Sequence, residues 1–139
     1  MGMKLMLCVI AGAAVFAAGQ NGGGKARTTR DRVYSKDQAT RGGATYTKLC
    51  ASCHDPAKVP AGKKPGPALV GENFIGQWQD RTLGGLMETT MLTMPNDGSA
   101  ALSESETADV IAYILQANGY PQGSADLKYD AGRDIVIVK

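Results

Sequence analysis

The 139-residue chain has a single histidine, a single tryptophan and three cysteines. Aromatic residues make up only 6% of it. A small core this poor in aromatics is hard to stabilise alone. No charge of one sign dominates, since 15 Lys and Arg stand against 13 Asp and Glu. That balance gives no nucleic-acid signal and no strong electrostatic steering. The chain also lacks a hydrophobic run of full membrane-spanning length. Its longest, Leu5 to Ala18, holds about fourteen residues where a span needs about twenty.

That run carries the marks of a targeting segment. One positive charge, Lys4, precedes it, and the small residues Ala17, Ala18 and Gly19 close it. The pattern is that of a signal peptide over residues 1–19, with an uncleaved amino-terminal anchor as the alternative. Cys8 lies too early in the run to be a lipoprotein cleavage cysteine. Removal of the leader leaves about 120 residues, enough for one domain. Residues 20–34 are rich in Gly, Lys, Arg and Thr, show no apolar periodicity and read as a flexible, solvated linker. A domain is expected over 35–121, with a tail over 122–139.

What the chain does have is Cys50-Ala51-Ser52-Cys53-His54. Cys-x-x-Cys-His is the attachment signature of c-type haem. Two thiols on one helical turn can each form a thioether to a haem vinyl group. The adjacent imidazole of His54 can then serve as proximal iron ligand. A buried haem would also supply the apolar mass that the core lacks, so the apoprotein is expected to be unfolded or molten. Other readings of the pentapeptide are weaker. A thioredoxin-like pair expects a βαβ context, whereas the residues before Cys50 read as helix. A structural zinc site needs four ligands; with Cys8 in the leader, two thiols and one imidazole remain. A Cys50–Cys53 disulfide would leave the adjacent histidine without a role.

The rest of the chain reads as helices around that motif. Ser35 is placed to cap a helix running to about Cys50, with Gln38 completing a capping box and Tyr34 as a staple. Gly42, Tyr46 and Cys50 share one face of it. Glycine at 42 and 43, at about 1 kcal/mol each against Ala, suggests close approach of another backbone. After a polar loop comes Gly66-Pro67-Ala68-Leu69-Val70. A ligating histidine usually donates its second N–H to a carbonyl or carboxylate, and the Pro67 carbonyl is a candidate. Leu69 and Val70 would cover a haem face. A short helix is expected over 73–79, carrying Phe74 and Trp78. The Trp78 N–H wants a partner when buried; a haem propionate is one possibility, plain core packing the other. Arg81 is a second propionate candidate.

Thr82 is placed to cap a further helix. On it Met87 and Met91 read as core filling. Met94 differs because Pro95 follows, which pushes it out of helical geometry. An extended Met94 can present its thioether as the second axial ligand. Ser103 and Glu106 form a capping box at the start of the last helix. Its apolar face carries Ala108, Ile111, Ala112 and Leu115, and Asn118-Gly119 ends it. The β-branched run Ile135–Val138 is strand-like; it either adds an edge to the surface or docks to a partner.

With these residues set out, the chain resembles a class I c-type cytochrome from about Ser35 to Gly119. The likeness rests on Gly42 and Tyr46, the haem motif, Gly66-Pro67-Ala68-Leu69, Met94-Pro95 and Asp109-Val110-Ile111-Ala112-Tyr113-Ile114. It implies a mostly α fold of three to four short helices wrapped around one covalently bound haem c. It also implies Gly42 and Tyr46 packed near Val110 and Tyr113, Pro67 accepting from His54, and His54 and Met94 as the two iron ligands. More narrowly, the chain is similar to small bacterial cytochromes that accompany or are fused to quinoprotein dehydrogenases. The expected function is one-electron transfer in a periplasmic or otherwise extracytoplasmic chain, not enzymatic catalysis. The expected partners are redox proteins such as a quinoprotein dehydrogenase or a terminal oxidase, met by a monomer with no nucleic-acid binding and no membrane insertion after leader cleavage. If Met94 does not bind iron, a five-coordinate gas sensor or enzyme is the rival reading. A non-haem module using the two thiols is the third.

Overall fold

The computed structural model describes residues 26–55, 57–62 and 64–139. The expected signal peptide and residues 20–25 of the expected linker lie outside the described residues. Strand β1 is Arg27–Thr28; α1 is Lys36–Leu49, α2 Ala51–His54, α3 Gly71–Trp78, α4 Leu83–Thr93 and α5 Glu104–Ala117. A 3-10 turn over Asp130–Asp134 leads into β2, Ile135–Val136. The fold is mostly helical, as the sequence predicts.

Local chemistry sets the helix ends. The Ser35 hydroxyl accepts from the Gln38 N–H at 3.0 Å, satisfying one of the unpaired donors of α1. The Gln38 side chain does not complete the expected capping box. It reaches across the molecule, donating to Leu127 O at 2.9 Å and accepting from Leu127 N at 2.7 Å. A buried amide satisfied at both ends by the backbone N–H and C=O of one residue is worth more here than a second cap bond. Thr82 caps α4 through the Gly85 N–H at 3.1 Å. The Ser103–Glu106 capping box of α5 is present in both directions.

Helices α1 and α5 cross in direct backbone contact. A Cβ placed on Gly42 would lie 1.7 Å from Asp109 O, so no larger residue fits without separating the helices. Next to it, Gly43 leaves room for the Tyr113 ring. Tyr46 meets Tyr113 with ring centroids 5.0 Å apart and planes tilted by 44°, a favourable aromatic arrangement. Ala108, Val110, Ile111, Ala112, Ile114 and Leu115 of α5 are buried, with Phe74, Leu83, Leu86 and Met87 from α3 and α4 in the same core.

At the two ends of the described chain, residues 26–34 and 122–139 pack against the helices. Strands β1 and β2 pair in parallel, Arg27 opposite Ile135 and Thr28 opposite Val136. Thr29, Val33 and Tyr34 are buried, as are Leu127, Ile135 and Ile137. The Tyr34 hydroxyl donates to Tyr120 O at 2.6 Å instead of acting only as a staple. The strand also reaches the α3–α4 link, where Asp80 N donates to Ile137 O at 2.8 Å and Ile137 N to Arg81 O at 2.9 Å. Both termini therefore belong to the same core as the helices. Backbone pairing fixes them, and backbone pairing leaves no helical periodicity to read.

Candidate haem site

The Cys-x-x-Cys-His motif straddles a helix junction. Cys50 follows α1 with its N–H bonded to Tyr46 O at 2.8 Å, and α2 then carries Cys53 and His54. Both thiols are free; Cys50 is buried and Cys53 exposed. Burial, with the neighbouring Cys53 adding to it, pushes the Cys50 thiol up from its ordinary value. Burial also pushes the Tyr46 phenol up to about 12, with Cys50, Tyr113 and Asp55 adding to the effect.

His54 is half-buried and oriented by the following loop. Its Nδ1 lies 2.8 Å from Pro67 O. A carbonyl only accepts, so Nδ1 carries the proton and Nε2 keeps its lone pair for a metal. Gly66 makes this approach possible. Its N–H donates to Cys53 O at 2.9 Å. A Cβ there would lie 3.0 Å from His54 Cε1 and 3.1 Å from Nδ1. The sequence pointed to Pro67 and did not reveal the contact at Gly66.

Asn118 is a further residue that sequence reading treated only as a helix stop. It accepts from Gly71 N at 2.9 Å and donates to Leu69 O at 2.9 Å and Ile114 O at 2.8 Å. It thus ties the segment after Pro67 to the end of α5. An amide in the last turn, placed before Gly119 at φ 75°, was the available signal. Leu69 packs on the core, whereas Val70 is 48% exposed.

Met94 closes α4 with extended backbone, φ −122° and ψ 143°, and is half-buried. The extension expected before Pro95 is present, and the Met94–Pro95 peptide is cis. Met87 is fully buried beside Gly132, in keeping with a core role. Leu92, two residues before Met94, is 69% exposed.

Trp78 is buried, and its Nε1 has no hydrogen-bond partner. Among the described residues only the Thr107 hydroxyl shares that condition. A buried donor left unpaired costs about 1–3 kcal/mol, which an incoming acceptor would relieve. Among the described residues no group of three His, Cys, Asp or Glu side chains is placed to hold a metal ion.

A mostly helical fold, two free thiols on one turn and a carbonyl-oriented histidine define a c-type cytochrome domain. The family described as cytochrome c oxidase, cbb3-type, subunit III matches residues 37–114, more than half of the chain, and the chain belongs to that family. The match runs from α1 into α5 and contains the Cys-x-x-Cys-His motif, Pro67 and Met94. No curated protein and no solved structure matches the chain. Membership makes the protein a haem electron carrier, not an enzyme, with covalently bound haem c and redox partners. Domains of this kind are generally extracytoplasmic, and no described helix is long and apolar enough to cross a membrane.

The residues present fit that cofactor. Cys50 and Cys53 supply two thiols, His54 an imidazole with one nitrogen already committed to Pro67, and Trp78 an unpaired donor.

Proposed function

We propose that the protein is a monohaem one-electron carrier of an extracytoplasmic respiratory or dehydrogenase chain. Cys50 and Cys53 would form the two thioethers, and His54 and Met94 would ligate the iron. Haem c supplies a one-electron Fe(III)/Fe(II) couple. The chain's own residues determine how that couple is used. Pro67 O holds the His54 proton on Nδ1, which leaves Nε2 as the donor atom and makes it more basic. Met94 offers a soft thioether, which favours Fe(II) and raises the potential. Were His54 and Met94 both to ligate the iron, the group would transfer electrons rather than bind a substrate. Residues 1–19 direct export as a cleaved leader, and the mature protein acts as a monomer. A quinoprotein dehydrogenase is a fitting donor and a terminal oxidase a fitting acceptor.

The observation that carries this reading is the 2.8 Å contact between His54 Nδ1 and Pro67 O, beside two free thiols. The test is expression of the full chain together with a haem-attachment system, followed by intact mass and a denaturing gel stained for haem. The expected result is one covalently bound haem, held by a single thioether in Cys50→Ser or Cys53→Ser and lost in the double variant. Attachment that survives the double substitution would overturn the assignment.

A further inference from the structure

The overall balance of charge, which by itself gives no steering, conceals a separation of charge along the chain. Residues 25–66 hold ten Lys and Arg against three Asp and Glu, whereas residues 67–139 hold four against ten. From residue 38 to residue 71, Asp55 is the one acidic side chain. The fold sets the two groups apart. Asn118, at the end of α5, holds Leu69 and Gly71 of the segment that follows the haem motif. Glu104 and Glu106 lie at the opposite end of that helix. Its 14 residues span about 21 Å.

The basic end belongs to the candidate haem site. Lys48 is exposed in the last turn of α1, two residues before Cys50. Lys58 and Lys64 are exposed on the loop between His54 and Pro67. That loop is fastened to the motif at both ends. Lys58 N donates to Asp55 O at 2.9 Å and Gly66 N to Cys53 O at 2.9 Å. Pro60, Pro65 and Pro67 fix φ along it. The nearby acids are already engaged. Asp55 lies 3.7 Å from the Lys58 ammonium. Glu72, which lines a groove with Pro65, Gly66 and Pro67, lies 3.2 Å from the Lys139 ammonium. Lys48 and Lys64 make no ion pair with a described residue. The other cationic stretch, Arg27, Arg30 and Arg32, is interrupted by Asp31 and pairs with the strand that follows Asp134.

We propose that Lys48, Lys58 and Lys64 form the surface on which the redox partner docks, and that the partner presents an acidic protein face there. This rests on the electron-carrier reading above. An acidic face is drawn to the basic end and repelled by Glu104 and Glu106 at the far end of α5, so it arrives with the Cys53 side of the motif foremost. Exposed cations of this kind act on the rate and orientation of encounter more than on affinity.

The test uses the full-length holoprotein and two kinds of probe. The first is a pair of small oxidants of opposite charge. Hexacyanoferrate(III) takes one electron from the reduced holoprotein and becomes hexacyanoferrate(II); tris(phenanthroline)cobalt(III) is its cationic counterpart. The expected rate with hexacyanoferrate(III) falls as ionic strength rises, and the rate with the cobalt complex rises. Lys58→Glu combined with Lys64→Glu slows hexacyanoferrate(III) about threefold or more at low salt. Lys128→Glu combined with Arg133→Glu makes the same change in total charge on the tail and leaves that rate within about 1.5-fold. The second probe is polyglutamate, a model acidic polypeptide, followed by amide chemical shifts. The expected shifts fall on residues 48–66 and spare 104–106. Equal slowing by the two double variants would overturn the local surface, since total charge alone would then govern. Shifts centred on residues 27–32 would overturn it as well. Sedimentation with phosphatidylglycerol vesicles that depends on Lys58 and Lys64 would put a lipid surface in place of the acidic protein and overturn the partner assignment. Failure to attach haem at all would instead bring down the electron-carrier reading, and this proposal with it.

Discussion

Single residues decide whether the haem-bearing helix can meet its partner. At Gly42 a methyl group would fall 1.7 Å from Asp109 O, and that obstacle is backbone. Gly42→Ala is therefore expected to destabilise the holoprotein by about 3 kcal/mol or more, since over-packed cores yield only by shifting. At Gly43 the neighbour is the side chain of Tyr113, at 3.0 Å, which can move. Gly43→Ala should cost clearly less. Thermal unfolding of the two holoproteins checks this, and equal melting temperatures would contradict it. The close approach was legible in the sequence because two adjacent glycines in a helix need a reason. The role of Gln38 was not, because its partner Leu127 is 89 residues away and no local pattern records it. Gln38→Ala leaves the Leu127 backbone N–H and C=O without these bonds, at a cost of about 2 kcal/mol. A denaturant midpoint unchanged from wild type would contradict that clamp.

At the scale of elements, the helices were legible because their signals are local. Ser35, Thr82 and Ser103 cap the helices they were expected to cap, and Met94 leaves α4 extended before Pro95. Ser103→Ala removes the reciprocal cap of α5 and should cost about 1 kcal/mol, measured by chemical unfolding. The strand pair was harder to read. Ile135–Val138 announced a strand, but Arg27–Thr28, its partner, is polar and basic, and the pairing joins opposite ends of the domain. A pH-sensitive contact joins α1 to the segment after α5. The Ser35 hydroxyl and the Arg41 guanidinium both hydrogen-bond Asp126, and these bonds hold its carboxyl below the ordinary 3.8. A carboxyl lowered in the folded state contributes stability above its ordinary value and loses it as pH falls through the lowered one. Asp126→Asn should therefore be less stable than wild type at neutral pH and converge with it as pH falls through the lowered value. A stability gap that persists in acid would contradict the assignment. The contact is solvent-exposed, so the gap is small.

For the whole molecule, the family segment over residues 37–114 carries the haem motif and the Met94 turn. The residues outside it wrap the link that holds Trp78 and Arg81. The sequence disclosed the cofactor through one pentapeptide, because covalent attachment demands particular side chains at fixed spacing, and it singled out Met94 as the proposed second ligand through the proline that follows it. It did not disclose the wrapping, which depends on backbone hydrogen bonds that many side chains would permit. The central claim concerns the whole assembly: a haem held by Cys50, Cys53 and His54 with Met94 closing the sixth position. The most direct measurement is the optical spectrum of the holoprotein, oxidised and reduced, with and without carbon monoxide, beside Met94→Ala. The expected result is a c-type spectrum with a far-red methionine-to-ferric-iron band. That spectrum is unmoved by carbon monoxide in the wild type, and the band is lost with carbon monoxide bound in the variant. A wild-type holoprotein that takes up carbon monoxide readily would contradict it and describe a sensor or enzyme instead.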